Sequence, residues 1–133
     1  EVILLSPLAG DNGRLQGLHD SWRLEDGERT YPLLRSDSHA WFAVSGAKAP
    51  EMFAKICGVD LRLAKFPDLS IAQTSVAKLS AIVTRADIRD TPAFHILADS
   101  ASALYFFDCL TDAAQEFGST IACRTVLRNL ESG

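Results

Sequence analysis

A chain of 133 residues, 47% of them hydrophobic, fits one globular domain that is large enough to build a core without disulfides or a structural metal. Its formal net charge is −4 and its lysines and arginines are scattered, so it lacks the basic stripe of a nucleic-acid-binding protein. No apolar run approaches the roughly 20 residues of a membrane-spanning helix. The sequence therefore predicts neither a nucleic-acid nor a membrane partner.

The cysteines indicate a reducing compartment. Cys57, Cys109 and Cys123 are odd in number, widely spaced and without a CxxC pattern, which argues against a disulfide framework. The first residues, EVILLSP, are apolar, but they are too short for the hydrophobic region of a signal peptide and lack a basic flank. The sequence thus predicts a cytoplasmic protein in which residues 1–8 form an edge strand or a docking peptide.

Residues 1–40 are predicted to form an irregular N-terminal arm. Between residues 8 and 38 the chain is rich in glycine and charge, and no helical or strand period is sustained. An irregular segment of roughly 30 residues greatly exceeds the usual loop length of about 4 to 6. The arm is too apolar for a free linker, so it either lies over its own domain or contacts another chain, and we favour the second. Its large apolar residues include Trp22, Leu24, Tyr31, Leu33 and Leu34.

A strand, a tight turn and a helix open the remaining domain, residues 41–133. Trp41 to Ser45 is a short strand candidate, and Gly46 ends it. Pro50 suits the first turn of a helix, where its missing N–H costs nothing, and Gly58 suits a left-handed C-terminal cap. The predicted apolar face of this helix comprises Ala49, Met52, Phe53, Ile56 and Cys57.

The middle of the chain is predicted to form strands. Residues 59–63 alternate in polarity, which predicts a short strand. Residues 71–87 are either one long bent strand or two strands broken near Leu79. Because no glycine, proline, asparagine or aspartate marks a turn there, the sequence favours a bend or bulge over a hairpin. After a turn at residues 89–92, residues 93–98 predict another strand.

A second helix is predicted in residues 100–117, closed by Gly118, and residues 120–127 are the last strand candidate. The order is β-α-β-β-α-β, with an extra strand if residues 59–63 pair or if the break near Leu79 is real. This order predicts an α+β fold with both helices on one face of the sheet, most simply a ferredoxin-like split βαβ. The residues that recur every three or four positions along the second helix are Leu104, Phe107, Leu110, Ala114 and Phe117, widened by Ala103, Phe106 and Ala113.

The second helix also carries a row of carboxylates. Asp108, Asp112 and Glu116 follow one another at four-residue spacing, which fits a metal or an acid–base pair but is more common on a solvated helix face. Cys57 is predicted to serve as a small hydrophobe and Cys109 to border the aromatic side of the helix. Nothing near either thiol in sequence is expected to lower its pKa, so neither is predicted to be a nucleophile.

Histidines and arginines give no stronger signal. His19, His39 and His95 have no metal-ligand spacing to another histidine or cysteine, although His39 is a candidate interface residue and His95 is predicted to face away from the helices. Arg85 and Asp87 end a central strand, and an arginine fork of this kind suits a carboxylate ligand such as a folate tail. Other loose cations are Arg23, Arg35 and Arg89.

Residues 10–13, GDNG, resemble a turn and match neither a GxGxxG motif nor a Walker loop. The sequence therefore predicts no catalytic residue and no metal-binding residue, and it assigns no cofactor-binding residue.

Two stretches of the chain resemble a known family. AQTSVAKLSAIVTR, followed by FHILAD, an alanine-rich aromatic helix and EFG, resembles the gamma subunit of heterotetrameric sarcosine oxidase. WFAVSGAKAPEMFAKICGVDL also resembles that family and, more widely, the aminomethyltransferase (glycine cleavage T-protein) folate-binding superfamily. There, a strand ending in glycine precedes an A-x-x-x-F/L helix, matched here by Gly46, Ala49 and Phe53. The resemblance covers residues 41–118.

The resemblance implies a domain of the folate-binding type and the role of a small, non-catalytic gamma-type subunit. Its partners would be the larger alpha and beta subunits, and the complex would use FAD, FMN, NAD and tetrahydrofolate, none of them bound by this chain alone. Such a complex oxidatively demethylates sarcosine to glycine and passes the one-carbon unit to tetrahydrofolate or releases formaldehyde. No position here aligns with the catalytic aspartate of the T-protein. Two alternatives stay open: a free-standing folate-binding or aminomethyltransferase-like one-carbon protein, and a small ferredoxin-like ligand-binding or dimerisation module.

Overall fold

The structure is a computed structural model that describes residues 2–7, 12–23, 25, 29 and 31–132. Its helices are α1 (Gly13–Ser21), α2 (Ala49–Phe53), α3 (Ala103–Gln115) and α4 (Arg124–Ser132), and a 3₁₀ turn, Ser100–Ser102, precedes α3. Its strands are β1 (His39–Ser45), β2 (Ile71–Val76), β3 (Leu79–Arg85) and β4 (Ala93–Asp99).

The four strands form one antiparallel sheet in the order β1-β4-β3-β2, so β1 and β2 are its two edges. Phe42 pairs with Ile96, which in turn pairs with Val83 on the next strand. This sheet and its helices confirm the predicted α+β class and are consistent with a small ferredoxin-like domain. The domain boundary at residue 40 stays a prediction, and β1 begins at His39.

The core lies between α2, α3 and one face of the sheet, the inner face. Alternate strand residues point there because successive side chains of a strand point to opposite sides. Aromatic rings join the layers: Phe94 of β4 lies 5.4 Å from Phe53 of α2, and Phe106 of α3 lies 5.2 Å from Phe42 of β1, centroid to centroid. We call the opposite side of the sheet the outer face.

The start of α2 is as predicted, and its end is not. Pro50 lies in the first turn, and the buried side chains of α2 belong to Ala49, Pro50, Met52 and Phe53. The helix ends earlier than its apolar pattern suggests because the chain turns and Cys57 forms an isolated bridge with Val76 at the edge of β2. The predicted left-handed cap at Gly58 is wrong, whereas Gly118, with φ of 67°, closes the turn after α3 as predicted.

The β2–β3 connection is a hairpin, so the predicted bend or bulge is wrong. Val76 pairs with Leu79, and the two turn residues between them, Ala77 and Lys78, have φ values of 49° and 67°. These values belong to a type I′ turn, which asparagine and glycine normally occupy because a Cβ is disfavoured at positive φ. Ala77 is held there by burial and by a 2.8 Å hydrogen bond from its N–H to the carbonyl of Ile56.

Two further strand predictions are wrong. Residues 59–63 form no strand; the alternation there reflects one side chain, Leu61, that is inserted into the core beside the exposed Asp60–Arg62 ion pair. Residues 120–127 form no strand either, because the chain is helical from Arg124 onward. A few alternating residues do not define a strand unless an open sheet edge lies within their reach.

The arm contains a helix, α1, that the sequence does not predict. None of the residues of α1 is buried, and the helix shows only weak segregation of apolar and polar side chains. A local hydrogen bond of 2.8 Å between Gln16 and Asp20, four positions apart, supports it instead. The predicted irregular arm is therefore partly helical.

Candidate interaction surface

The carboxylate row of α3 lies on its solvated face. Asp108 and Asp112 are exposed, and Glu116 forms a 3.0 Å ion pair with Lys55, which follows α2. The Lys55 ammonium also donates to the carbonyl of Ala113 at 3.2 Å. In the part of the chain that the structure describes, no three histidine, cysteine, aspartate or glutamate side chains come close enough to hold a metal. Glu116 therefore ties the end of α3 to the α2 region.

His95 faces the outer side of the sheet, as predicted, and it is 4% exposed. The Trp41 indole N–H donates to His95 Nδ1 at 3.1 Å, and the two ring centroids are 5.6 Å apart. Because an indole can only donate, His95 Nδ1 is unprotonated and the imidazole carries its proton on Nε2. The pair fixes one ring against the other across β1 and β4.

The other two histidines lie apart from His95. His39 begins β1, and its Nδ1 lies 2.7 Å from the Ser38 hydroxyl. His19 is on α1, and its Nδ1 is enclosed without a hydrogen-bond partner among the described residues. The structure does not bring the three imidazoles together.

Arg85 and Asp87 form a buried ion pair. Arg85 Nη2 lies 2.6 Å from Asp87 Oδ2 and Nε lies 2.8 Å from Oδ1, with the side chains 10% and 19% exposed. Arg85 Nη1 also donates to the carbonyls of Phe66 and Leu63, at 2.9 and 3.3 Å. The hydrogen bonds from Arg85 lower the pKa of Asp87, and those to Asp87 raise the pKa of Arg85. The fork predicted to suit a carboxylate ligand is thus directed at the chain's own acceptors.

The remaining predicted candidates are dispersed. Arg23 donates to the carbonyls of Asp20 and Trp22, both at 2.7 Å. Arg89 is an exposed turn residue with φ of 56°. Of the GDNG segment, residues 10 and 11 lie outside the described residues, and the remaining two lead into α1.

The three cysteines are free thiols. Cys57 and Cys109 pack against the core, as expected of small hydrophobes. Cys123 is exposed at the start of α4, where the nearby backbone N–H groups of Val126 and Thr125 lower the pKa of its thiol. A lowered thiol pKa raises reactivity but does not by itself make a catalytic group.

A shallow groove of about 350 Å³ opens between the arm and the sheet. Its polar groups can donate to an anionic or amide ligand, and the described residues that line it include no carboxylate or thiol that could form a catalytic triad with its histidine and serine. Its lining consists of Arg35, His39, Gln73, Thr74, Ser80, Ala81 and Ile82.

Large apolar side chains are exposed in several parts of the described chain, among them the arm and α3. On the arm, Tyr31, Leu33 and Leu34 are 67%, 70% and 62% exposed, and we call them the arm patch. On α3, Leu104 and Phe107 are 75% and 38% exposed. Single exposed apolar residues are ordinary, whereas clusters of them mark interaction surfaces.

The buried face of α3 is narrower than the apolar face that the sequence predicted. The residues that are buried there are Phe106, Leu110 and Ala113, whereas Leu104 and Phe107, which the spacing assigned to the apolar face, point away from the core. The helix is apolar over more than its buried stripe, so periodicity alone could not choose between two overlapping phases. The sequence therefore gave one indication of these exposed side chains: α3 has more apolar residues than a single buried face requires.

No helix among the described residues combines the length and apolar character that crossing a membrane requires. No protein-family model matches the chain, and no curated protein matches it. Among solved structures it is similar to a chain of heterotetrameric sarcosine oxidase from Corynebacterium sp. U-96 in complex with pyrrole 2-carboxylate, with a TM-score of 0.60 and 21% sequence identity. The match covers 73% of this chain and 49% of that chain, so this chain spans about half the length of its structural neighbour. At this identity the likeness shows the fold, and the fold is sarcosine-oxidase-related.

Proposed function

We propose that the chain is a non-catalytic, gamma-type subunit of a heterotetrameric sarcosine-oxidase-like assembly in the cytoplasm. The fold it shares with a chain of such an enzyme supports this role. Because the same aligned stretch is 73% of this chain and 49% of the other, that chain is only about one and a half times as long as this one. A neighbour of that size suits the small subunit better than the large, cofactor-carrying subunits.

The arm patch is the observation that carries the proposal. Tyr31, Leu33 and Leu34 lie within four consecutive positions and expose more than half of each side chain. Leaving three such side chains in water forfeits roughly 1.5 to 3 kcal/mol apiece relative to full burial. Docking against a larger subunit recovers that free energy, and the chain's own core does not.

In this assembly the chain supplies contact surface and the partners supply chemistry. The alpha and beta subunits would hold FAD, FMN and NAD, and the one-carbon unit of sarcosine would pass to tetrahydrofolate or leave as formaldehyde. The groove, with its donors and without a complete triad, suits a supporting surface more than a reaction centre. This chain is then expected to raise the yield or stability of the complex without turning over substrate itself.

The test is reconstitution with the alpha and beta subunits of a heterotetrameric sarcosine oxidase. We expect one complex that contains this chain in native mass spectrometry and light scattering, with sarcosine oxidation only when the large subunits are present. A chain that remains monomeric in their presence and leaves their activity and stability unchanged would contradict the proposal. Calorimetric binding of tetrahydrofolate by the isolated chain would instead favour a free-standing one-carbon protein.

A further inference from the structure

The outer edge of β1 presents an ordered row of backbone groups. The N–H and C=O of Ala93, on β4, both point toward β3, because they bond to the Asp87 carboxylate at 3.2 Å and to the Ala86 N–H at 2.9 Å. The pair formed by Ser45 and Ala93 is therefore not hydrogen-bonded, and pairs alternate along an antiparallel ladder. It follows that Trp41, Ala43 and Ser45 direct their N–H and C=O groups outward from the sheet.

Among the described residues, little pairs with this edge along most of its length. At its start the His39 N–H is taken by the carbonyl of Arg35 at 3.0 Å. Within residues 2–7, 12–23, 25, 29 and 31–132, no hydrogen bond reaches the outward backbone groups of Trp41, Ala43 or Ser45. Residues 40–45 also contain no proline or charged side chain and keep an unbroken register, so the usual devices that protect an edge strand are missing.

An apolar flank of α3 overhangs the same edge. The ring contact between α3 and β1 places this helix above the strand. Glu116 marks the flank that faces the α2 region through its ion pair with Lys55. Phe107 precedes Glu116 by nine residues, two and a half turns, and so lies on the opposite flank, whereas Leu104 lies nearly opposite the buried residues of α3 and faces solvent. The flank that carries Phe107 faces the β1 edge.

We propose that this edge receives an extended segment of one of the larger subunits, which adds to the sheet beside β1. We call the outward backbone of Trp41, Ala43 and Ser45, together with Phe107, the β1 edge surface. An extended backbone is the ligand that matches a row of alternating donors and acceptors, and every second residue of it would face α3. The segment is therefore expected to be apolar at alternate positions. This inference rests on the proposed function.

A second copy of this chain fits the surface less well. Each copy carries a formal net charge of −4, so two copies repel at long range, whereas a chain of different sequence is under no such constraint. The proposed heterotetrameric assembly also surrounds this chain with polypeptides of different sequence. Self-association is accordingly treated as a contrary outcome.

The decisive variant is Ala43→Pro, compared with Ala43→Val. Proline removes the outward N–H of residue 43 but no hydrogen bond to β4, and edge strands accept proline where the N–H faces solvent. We expect Ala43→Pro to weaken binding to the purified alpha–beta subcomplex by at least about tenfold, and Ala43→Val to leave it unchanged. Phe107→Ser is expected to weaken the same binding.

Hydrogen exchange of the wild-type complex gives a readout that does not depend on the variant's folding. The Trp41 and Ala43 amides are expected to exchange rapidly in the free chain and slowly in the complex. If the chain binds the subcomplex while these amides stay unprotected and Ala43→Pro binds normally, the strand addition is wrong and the subunit role stands. If the wild-type chain does not bind, the subunit role fails as well. If the wild-type chain forms a homodimer and Ala43→Pro dissociates it, the segment that adds to β1 comes from a second copy of this chain and not from a larger subunit.

Discussion

The sheet-and-helix body, residues 39–118, and the arm before it both carry many large apolar side chains, but they use them differently. The body buries three phenylalanines completely between the inner face and two helices: Phe53, Phe94 and Phe106. None of the described residues from 2 to 38 is buried. Burial, not apolar composition, stabilises a fold, so the arm's apolar residues are available to another molecule.

The largest expected difference between the two regions comes from truncating a core ring. Phe94 is fully buried, with its centroid 5.4 Å from that of Phe53 and 6.5 Å from that of Phe66. Phe94→Ala is expected to lower the free energy of unfolding by about 4 kcal/mol, because the lost contacts leave a cavity. The matched change Phe107→Ala, on the half-exposed flank of α3, should cost about 1 kcal/mol. Equal losses in urea unfolding would contradict this account of the core.

Two ion pairs in the body, each between residues two positions apart, test how burial changes the contribution of an ion pair to stability. Arg85–Asp87 is mostly buried, whereas Asp60–Arg62 is largely exposed although both are joined by contacts of 2.6 Å. Asp87→Asn is expected to lower the free energy of unfolding by about 3 kcal/mol, since it leaves the Arg85 charge without its carboxylate. Asp60→Asn should change it little, because water screens that pair. A comparable loss in the two variants would show that burial does not set the strength of these pairs.

The Arg85–Asp87 ion pair also makes the free energy of unfolding depend on pH. The hydrogen bonds from Arg85 hold the pKa of Asp87 below its usual value, so the carboxylate binds protons less readily in the folded than in the unfolded chain. Its contribution is therefore complete above the unfolded pKa of about 3.9 and is lost as pH falls through the lower folded pKa. Wild type and Asp87→Asn are thus expected to converge in stability as the medium is acidified below about pH 4, measured by urea unfolding at each pH.

A smaller effect of opposite sign is expected at the β2–β3 turn. Lys78 is exposed and has φ of 67°, a conformation that strains any residue with a Cβ. Lys78→Gly is expected to raise the free energy of unfolding by about 0.5 to 1 kcal/mol, after allowing for the greater freedom of glycine in the unfolded chain. Lys78→Ala keeps the Cβ and should bring no gain, so a gain in that control would assign the effect to the loss of the lysine side chain.

This turn shows where sequence patterns suffice and where they fail. The α+β class, the strand at Trp41, the start of α2 at Pro50 and the orientation of His95 followed from local periodicity and cap residues. The hairpin did not, because Ala77 and Lys78 are poor turn formers that tertiary contacts hold in place. The Trp41–His95 hydrogen bond and the open edge depend on which strands pair. The residue pattern of a single strand does not determine its partner, so the sequence could not predict either feature.

The smallest expected effect on stability, and the sharpest difference in binding, comes from the arm patch. The double change Tyr31→Ser and Leu33→Ser removes two side chains that are 67% and 70% exposed, so the free energy of unfolding should stay within about 0.5 kcal/mol of wild type. The same variant should bind the alpha–beta subcomplex at least about tenfold more weakly, because that interface would lose its apolar anchor. Val126→Ser, which removes a half-exposed apolar side chain on α4, is the control and should bind normally. If the arm variant unfolds easily, these side chains stabilise the chain itself. If it is stable and binds normally, the arm is not the contact, and the β1 edge surface would have to account for binding without it.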